Sequence, residues 1–482
     1  MSRVVGGANT LSKMRSRFPG SYPVSLVQGR GARVEDSAGR DYIDWICSLG
    51  ALSLGYLNYM VDRAVGAQVR KGPIFSLPDV ELEERVAGQL CELVPCAEAV
   101  RFVKTGSECT EAAIRVARAY TGREVVLQCG YHSWHSWYAA TREHSPGVPL
   151  AMKGLVKTFK YNDIIDFTQT VHAAEAVQGG VAAIIIEPTL FEEPAPGFLE
   201  AIRMVATGIG AVLIFDETVT GFRWHAGGYQ ALCGVTPDLA TFGKGMGNGY
   251  PIAALVGRAD IMRHAMLVSG TFGGDCIGLA AAKATMQVYQ QAVSPDHPKV
   301  SIRHGEHVMV PARIQNFNQE SGTFDFIREH LEAAADTRLV QHDVVTSHMW
   351  VIGSRLMDGY NALADKFGAP TRMEGQPPHP RIVWDEPETV WDRGQDGELQ
   401  PYIRKNRHRA SLFFQECAKR GVLFHPDGIN VMLAHGQAEL DQTLDACRTA
   451  MAAVVHAIKR GTVRQEIQGE PISPEPPWRV TA

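Results

Sequence analysis

Unbroken apolar runs alternate along this chain with stretches of helical spacing, and that alternation predicts most of its elements. VRFVKT ends in Gly106, Ser107 and Glu108, and REVVLQC precedes an aromatic cluster. GGVAAIII ends in Glu187 and Pro188, while AVLIF, from Ala211 to Phe215, is broken by Asp216 and Glu217. Short apolar, β-branched runs bounded by glycine, proline or charge are the pattern of buried strands. Between them, the residues from Asp79 to Leu93 and from about Cys109 to Gly122 carry apolar side chains at helical spacing. Strand, helix, strand order predicts an α/β fold with a mostly parallel sheet, whose ligand groups sit at the carboxyl ends of strands. Asp216 and Glu187 both fall at such ends. Nearer the N-terminus, the alternating residues of Gly29 to Trp45 flank Asp36, Ser37, Ala38 and Gly39, which predicts a β-hairpin.

A carboxylate at the end of a buried strand calls for a cationic partner. DLATFGKGMGNGYPIAALVG (Asp238 to Gly257) offers one lysine, Lys244, between glycines that let backbone approach a ligand closely. Such a lysine is either a phosphate clamp or an amine that forms a Schiff base. A Walker loop needs Ser or Thr after the lysine, where this chain has Gly245, and the spacing of Gly245, Gly247 and Gly249 does not make a dinucleotide fingerprint. The helix start at Gly106-Ser107-Glu108 presents free N–H groups to a phosphate, although the same residues also suit a plain N-cap. Tyr131, His132, Trp134, His135, Trp137 and Tyr138 form the aromatic cluster, a pattern equally suited to a core.

Composition narrows the partners. The 482 residues, 45% hydrophobic, suffice for two or three domains, and 47 basic against 52 acidic residues leave a net charge of −5. Without a basic stripe, neither nucleic acid nor an anionic membrane is expected as a partner. The nine cysteines are scattered, with no CxxC pair and no metal-ligand spacing, so reduced thiols and no metal are expected. The first residues lack an apolar signal core and no run approaches the ~20 apolar residues of a span, which reads as a cytoplasmic protein.

FDETVTGFR followed by TFGKGMGNGYPIAA resembles the class III pyridoxal-phosphate (PLP) aminotransferases, in particular their glutamate-1-semialdehyde aminomutase-like branch. By that resemblance Lys244 bonds covalently to the cofactor and Asp216 pairs with its ring nitrogen, keeping the ring protonated as an electron acceptor. Thr218, where the family usually has Val or Ile, would cover one ring face. Gly106 and Ser107 would bind the cofactor phosphate, and Tyr131, in GYHSW, would stack on the ring. Glu187, in IIIEP, would lie near the cofactor's phenolic oxygen or a mobile arginine. Thr271, in SGTF, would reach the phosphate of a neighbouring subunit, which implies a homodimer. The YHxWHxWY pattern is closer to sugar-acid aminotransferase-like members than to the aminomutase.

The resemblance implies a fold type I PLP enzyme, with a large domain around a mostly parallel sheet and a small α/β domain. The divisions expected are 1–75 for an N-terminal small-domain segment, 76–291 for the large PLP-binding domain, 292–343 for an insertion with at least one helix, 344–462 for the C-terminal small domain and 463–482 for an extended or disordered tail. Cys47 to Asn58 is similar to a glycine-rich segment at the family's substrate mouth. The expected partners are a small-molecule amino donor and a carbonyl acceptor. The aminomutase begins with an NSPVR-like segment whose arginine holds a carboxylate, whereas here Ser25 follows Val24, and Arg17 and Arg30 lie nearby but not at the motif position. That difference points to a polar ketone or aldehyde acceptor, sugar-derived or from secondary metabolism. The alternatives are the aminomutase itself and a catalytically inactive scaffold. Neither the donor, the acceptor nor the purpose of the insertion is legible.

Overall fold

The computed structural model describes residues 3–142, 145–176, 179–189, 191–291, 299–303, 306–309, 339–341, 343–385, 387–393, 399–405 and 407–473. They fall into two units, Met1–Leu49 with Trp350–Ala482, and Gly50–Met349.

The first unit holds the expected N-terminal hairpin within a meander of β1 (Leu26–Arg30), β2 (Arg33–Asp36) and β3 (Asp41–Asp44), to which Val422–Leu423 adds in parallel. Asp36 makes the turn between β2 and β3, since its Oδ1 accepts N–H bonds from Ala38 at 2.8 Å and Arg40 at 3.1 Å. The helices His408–Ala418 and Gln437–Arg460 pack together in this unit. The described part of the C-terminal tail is anchored. Buried Ile472 donates its N–H to Ser411 Oγ at 2.9 Å, and Ser473 donates to the Ser16 carbonyl at 2.8 Å.

The second unit is built on seven strands: β4 (Ala99–Val103), β5 (Val125–Cys129), β6 (Val156–Thr158), β7 (Val181–Ile186), β8 (Val212–Asp216), β9 (Leu239–Phe242) and β10 (Ala253–Gly257). Their order is β4-β10-β9-β8-β7-β5-β6, parallel except that β10 runs antiparallel to both neighbours. Every residue of β5, β7, β8 and β9 is buried, which is why these strands appear as mostly apolar runs rather than alternating ones. The flanking helices include α1 (Tyr59–Val69), α2 (Val80–Leu93), α3 (Gly106–Thr121), α4 (Ile164–Glu175), α5 (Phe198–Ile209) and α6 (Cys276–Gln291). On α3, Ala112, Ala113, Val116 and Ala117 enter a core with Val126, Ile185, Ile214 and Leu255.

Helix α3 begins three residues before the expected Cys109 because Thr105 caps it. Thr105 Oγ1 accepts the Glu108 N–H at 3.2 Å, and the Glu108 carboxylate accepts the Thr105 N–H at 2.8 Å. Of the expected insertion, the described residues Lys299–Arg303, Glu306–Met309 and Leu339–Gln341 form a three-stranded antiparallel sheet. The helix expected there lies outside the described residues. Among the described residues, no helix is long and apolar enough to cross a membrane.

The sheet register places three strand ends side by side. Ile186 of β7 pairs with Phe215 of β8, and Asp216 pairs with Thr241 of β9. Glu187, Asp216 and the turn at Lys244 thereby meet at one carboxyl edge.

Candidate active site

Asp216 is buried at 5% exposure and surrounded by donors. Its Oδ1 accepts from Thr218 Oγ1 at 2.6 Å, Thr218 N–H at 3.2 Å and Thr241 Oγ1 at 2.8 Å. Its Oδ2 lies 2.8 Å from His132 Nδ1. Burial by itself pushes the Asp216 carboxyl up, but His132, Thr218 and Thr241 outweigh it and hold the group below the usual carboxylate range.

The side chain facing Asp216 Oδ2 is therefore His132 rather than Lys244. The two ring nitrogens of His132 face Asp216 Oδ2 and the Cys129 carbonyl, the latter at 3.1 Å. The Thr110 hydroxyl holds the His132 carbonyl at 3.0 Å, and the Trp137 ring lies nearly parallel to the imidazole at 6.0 Å between centroids.

Glu217, the other half of the acidic pair, takes no part in this cluster. It is fully buried and accepts from Thr220 Oγ1, from Tyr229 N–H at 2.7 Å and from Gln230 N–H at 3.0 Å.

Glu187 follows β7 and accepts the Tyr131 N–H at 2.7 Å. It packs over Gly130, where a Cβ would stand 2.6 Å from its Oε2 and where φ is +118°. Burial pushes its carboxyl up to about 7; the charge of Asp216 adds to that shift, and His132, the Tyr131 N–H and Lys244 oppose it.

Lys244 starts a short 3-10 turn after β9, with φ +44°. Burial holds its amine below the ordinary lysine value; Glu187 and Asp216 oppose that effect and Arg223 adds to it. Among the described residues, no hydrogen bond or ion pair ends on the Lys244 amine. Arg223, 1% exposed, donates through Nη2 to the carbonyls of Gly50 at 3.0 Å and Leu52 at 2.9 Å.

The start of α3 faces the same edge. Thr105 caps the Glu108 N–H, and among the described residues no hydrogen bond is made by the N–H groups of Gly106 and Ser107. A Cβ on Gly106 would lie 2.7 Å from Thr218 Cγ2, and one on Gly243 would lie 3.6 Å from that methyl and 3.9 Å from Gly106 N. The Thr218 hydroxyl belongs to Asp216 while its methyl lies beside the helix start.

The Tyr131 ring is exposed, 5.5 Å edge-on from Tyr138 and 5.8 Å from the Arg142 guanidinium. Thr271 lies in an exposed turn before α6, and among the described residues it makes no contact with the cluster. A cavity of about 440 Å³ at the opposite, amino ends of β8 and β9 includes Arg203, Asp238 and Arg258, where Asp238 already pairs with both arginines.

The sequence reading gave no role to His132, Thr241 or Arg223. Each stands inside a stretch it singled out: GYHSW, DLATFGKG and FDETVTGFR.

The aminotransferase class III family model matches residues 17–296. The chain is 40% identical over 298 residues to a 3-aminobutyryl-CoA aminotransferase of Cloacimonas acidaminovorans, covering 60% of this chain and 70% of that protein. It is 34% identical over 480 residues to a glutamate-1-semialdehyde 2,1-aminomutase of Chloroflexus aurantiacus, covering 94% of each. In fold it is similar to the FumI protein of Sphingopyxis sp. MTA144, solved in its PLP internal aldimine form, with a TM-score of 0.74 and 24% identity over 95% of each chain.

The raised Glu187 carboxyl has a measurable consequence. Between the usual value of 4.5 and about 7 the native group keeps a proton that the unfolded one has lost, so stability falls as pH rises through that window. The loss reaches up to about 3 kcal/mol above it. Glu187→Gln keeps an acceptor for Tyr131 and does not titrate. Thermal unfolding of the ligand-free proteins should give similar midpoints near pH 5 and a higher midpoint for the variant near pH 8. A difference that does not change with pH would show that Glu187 does not carry this shift.

Proposed function

The chain belongs to the class III aminotransferases, and we propose that it moves an amino group from a small-molecule donor to a polar ketone or aldehyde, with Lys244 and Asp216 carrying the chemistry. Enzymes of this family use PLP. When bound, it supplies an aldehyde that bonds to an amine and a protonated ring that draws electrons from a carbon losing its proton.

The residues of this chain suit that group. Asp216 Oδ2 has one recorded donor among the described residues and keeps a lone pair for a ring N–H, and its low pKa keeps it charged. Lys244 is a half-buried residue whose amine has no hydrogen-bond partner among the described residues and a lowered proton affinity, so it can bond to the aldehyde and afterwards take up and return a proton at Nζ. Gly106 and Ser107 at the start of α3 would hold the phosphate. Tyr131 would lie on the ring, the Thr218 methyl would pack beside it, and Glu187 would stand close to its phenolic oxygen. The observation that carries this reading is a carboxylate held ionised and, at the same carboxyl edge beside the start of α3, a lysine amine on which no hydrogen bond ends among the described residues.

A transaminase outcome is supported by the relative named for 3-aminobutyryl-CoA. The absence of an arginine directly after Val24 supports the same outcome, and the neighbouring Arg17 is paired with Asp427. A lost charge-assisted carboxylate contact would cost about 1.5 to 3 kcal/mol in binding a small amino acid. The aminomutase remains the second reading because relatives covering 94% of this chain carry that name. The assembly proposed is a homodimer in which Thr271 reaches the phosphate site of the second subunit.

Borohydride reduction of the PLP-loaded protein should place the adduct on Lys244, and peptide mapping to another lysine would refute the assignment. Asp216→Ala should still bind PLP but lose roughly a hundredfold or more in transamination rate; near-normal turnover would remove Asp216 from its role.

For the assembly, mixing inactive Lys244→Ala with an inactive Thr271→Ala protein should restore part of the activity, whereas a fully active monomer in sedimentation would exclude shared sites. For the substrate, a panel of polar carbonyl acceptors should outperform glutamate-1-semialdehyde. Efficient formation of 5-aminolevulinate without an added amino donor would instead identify an aminomutase.

A further inference from the structure

Two residues in one short turn hold backbone conformations that side chains rarely adopt. Lys244 opens the turn at φ +44° and Asn248 closes it at φ +43°. Asparagine tolerates the left-handed region, but lysine has no local means of stabilising it, so contacts from outside the turn must hold the lysine backbone there.

Those contacts come from the segment after Gly50. Asn248 is 5% exposed, and its side-chain amide makes three bonds to one segment: Oδ1 accepts the N–H groups of Ser53 at 3.1 Å and Leu54 at 2.9 Å, while Nδ2 donates to the Gly55 carbonyl at 3.1 Å. Ser53, itself fully buried, returns a bond from Oγ to the Gly245 carbonyl at 3.0 Å. The two segments approach so closely that a Cβ on Gly245 would stand 3.4 Å from Ser53 Cβ and 3.3 Å from Phe222 Cβ. On its other side the same segment is fixed by Arg223 through Gly50 and Leu52.

We propose that Asn248 is a positioning residue for Lys244: its amide clasps Ser53, Leu54 and Gly55 onto the lysine turn and so keeps the lysine backbone left-handed and its amine beside Glu187 and Asp216. This rests on Lys244 being the lysine that bonds PLP. Neither close substitute keeps the clasp. Glycine permits the backbone but makes no side-chain bond, and aspartate offers two acceptors but turns a second oxygen toward the Gly55 carbonyl.

The test compares Asn248→Gly and Asn248→Asp with wild type in three measurements on full-length protein. The first is amide hydrogen exchange over residues 53–55. The second is the rate at which protein freed of cofactor captures PLP covalently. The third is the Kd for pyridoxamine 5′-phosphate, which has an amine in place of the aldehyde and makes no bond to lysine.

In Asn248→Gly, exchange at Ser53 and Leu54 should accelerate and PLP capture should slow, each by about tenfold or more, while the pyridoxamine phosphate Kd stays within about threefold. Asn248→Asp should lie between that variant and wild type in capture rate, with exchange at Ser53 and Leu54 largely protected. Capture at the wild-type rate in both variants would overturn the proposal, as would a parallel fall in capture and pyridoxamine phosphate binding. If Asn248→Gly does not fold, Asn248→Asp decides: slower capture with unchanged pyridoxamine phosphate binding supports the clasp, and wild-type capture refutes it. Borohydride mapping of the wild type separates the two layers, because an adduct away from Lys244 defeats the lysine assignment whatever the Asn248 variants do.

Discussion

The structure depends on one buried negative charge at the carboxyl end of β8. An isolated carboxylate at that depth would take up a proton, and Asp216 keeps its charge because His132, Thr218 and Thr241 all donate to it. Removing a donor so that a buried acceptor is left unsatisfied costs about 1–3 kcal/mol, and more when the acceptor is charged. The surrounding fold can be understood as the means of bringing those donors together. Thr241 arrives because β9 pairs with β8 in the register that sets it opposite Asp216, and His132 arrives because the chain after β5 turns back over the same edge.

The same edge separates two carboxylates by environment. Asp216, with its donors, is held below the usual range, whereas Glu187 is pushed up to about 7 by burial, with only one backbone N–H donating to it and a like charge nearby. Near neutral pH the first is an anion and the second is divided between charged and neutral forms. Lys244 faces both, and its burial offsets their pull, which leaves an amine of reduced proton affinity. No single residue sets this arrangement. It follows from three strand ends and a glycine-rich turn meeting where water is largely excluded.

Much of this was legible in the sequence, and each part that was not has its own physical reason. The strands β5, β7 and β8 announce themselves because helices cover the sheet and every position is buried, nearly all of them by apolar side chains. Asp216, Glu187 and Lys244 stood out as charge in apolar or glycine-rich surroundings. His132 did not, because it is 84 residues from Asp216 and sits among tryptophans and tyrosines that look like core. Thr241 looks like an ordinary β-branched strand residue until the register places it opposite a carboxylate. The start of α3 was misjudged by three residues because Thr105 was counted with the strand, when its hydroxyl makes it the cap. Thr271 shows a different limit: its expected role needs a second copy of the chain, which no reading of one copy can supply.

The adjacent acids Asp216 and Glu217 show how strand geometry divides labour within a motif. Successive side chains at a strand end point to opposite faces, so two neighbouring carboxylates cannot serve one site. Asp216 faces the lysine edge. Glu217 turns inward and takes the N–H groups of Tyr229 and Gln230, which closes the loop from Thr218 to Gly228. That closure needs Gly228, where φ is +82° and a Cβ would stand 2.6 Å from the Glu217 carboxylate. Arg223, whose guanidinium reaches Gly50 and Leu52, is carried on this loop. Glu217 therefore acts on the site only through backbone: it fixes the loop whose arginine fixes the segment that is bonded to the lysine turn. A neutral glutamine there would keep an acceptor for one N–H but turn a donor toward the other, so the carboxylate is the group that satisfies both.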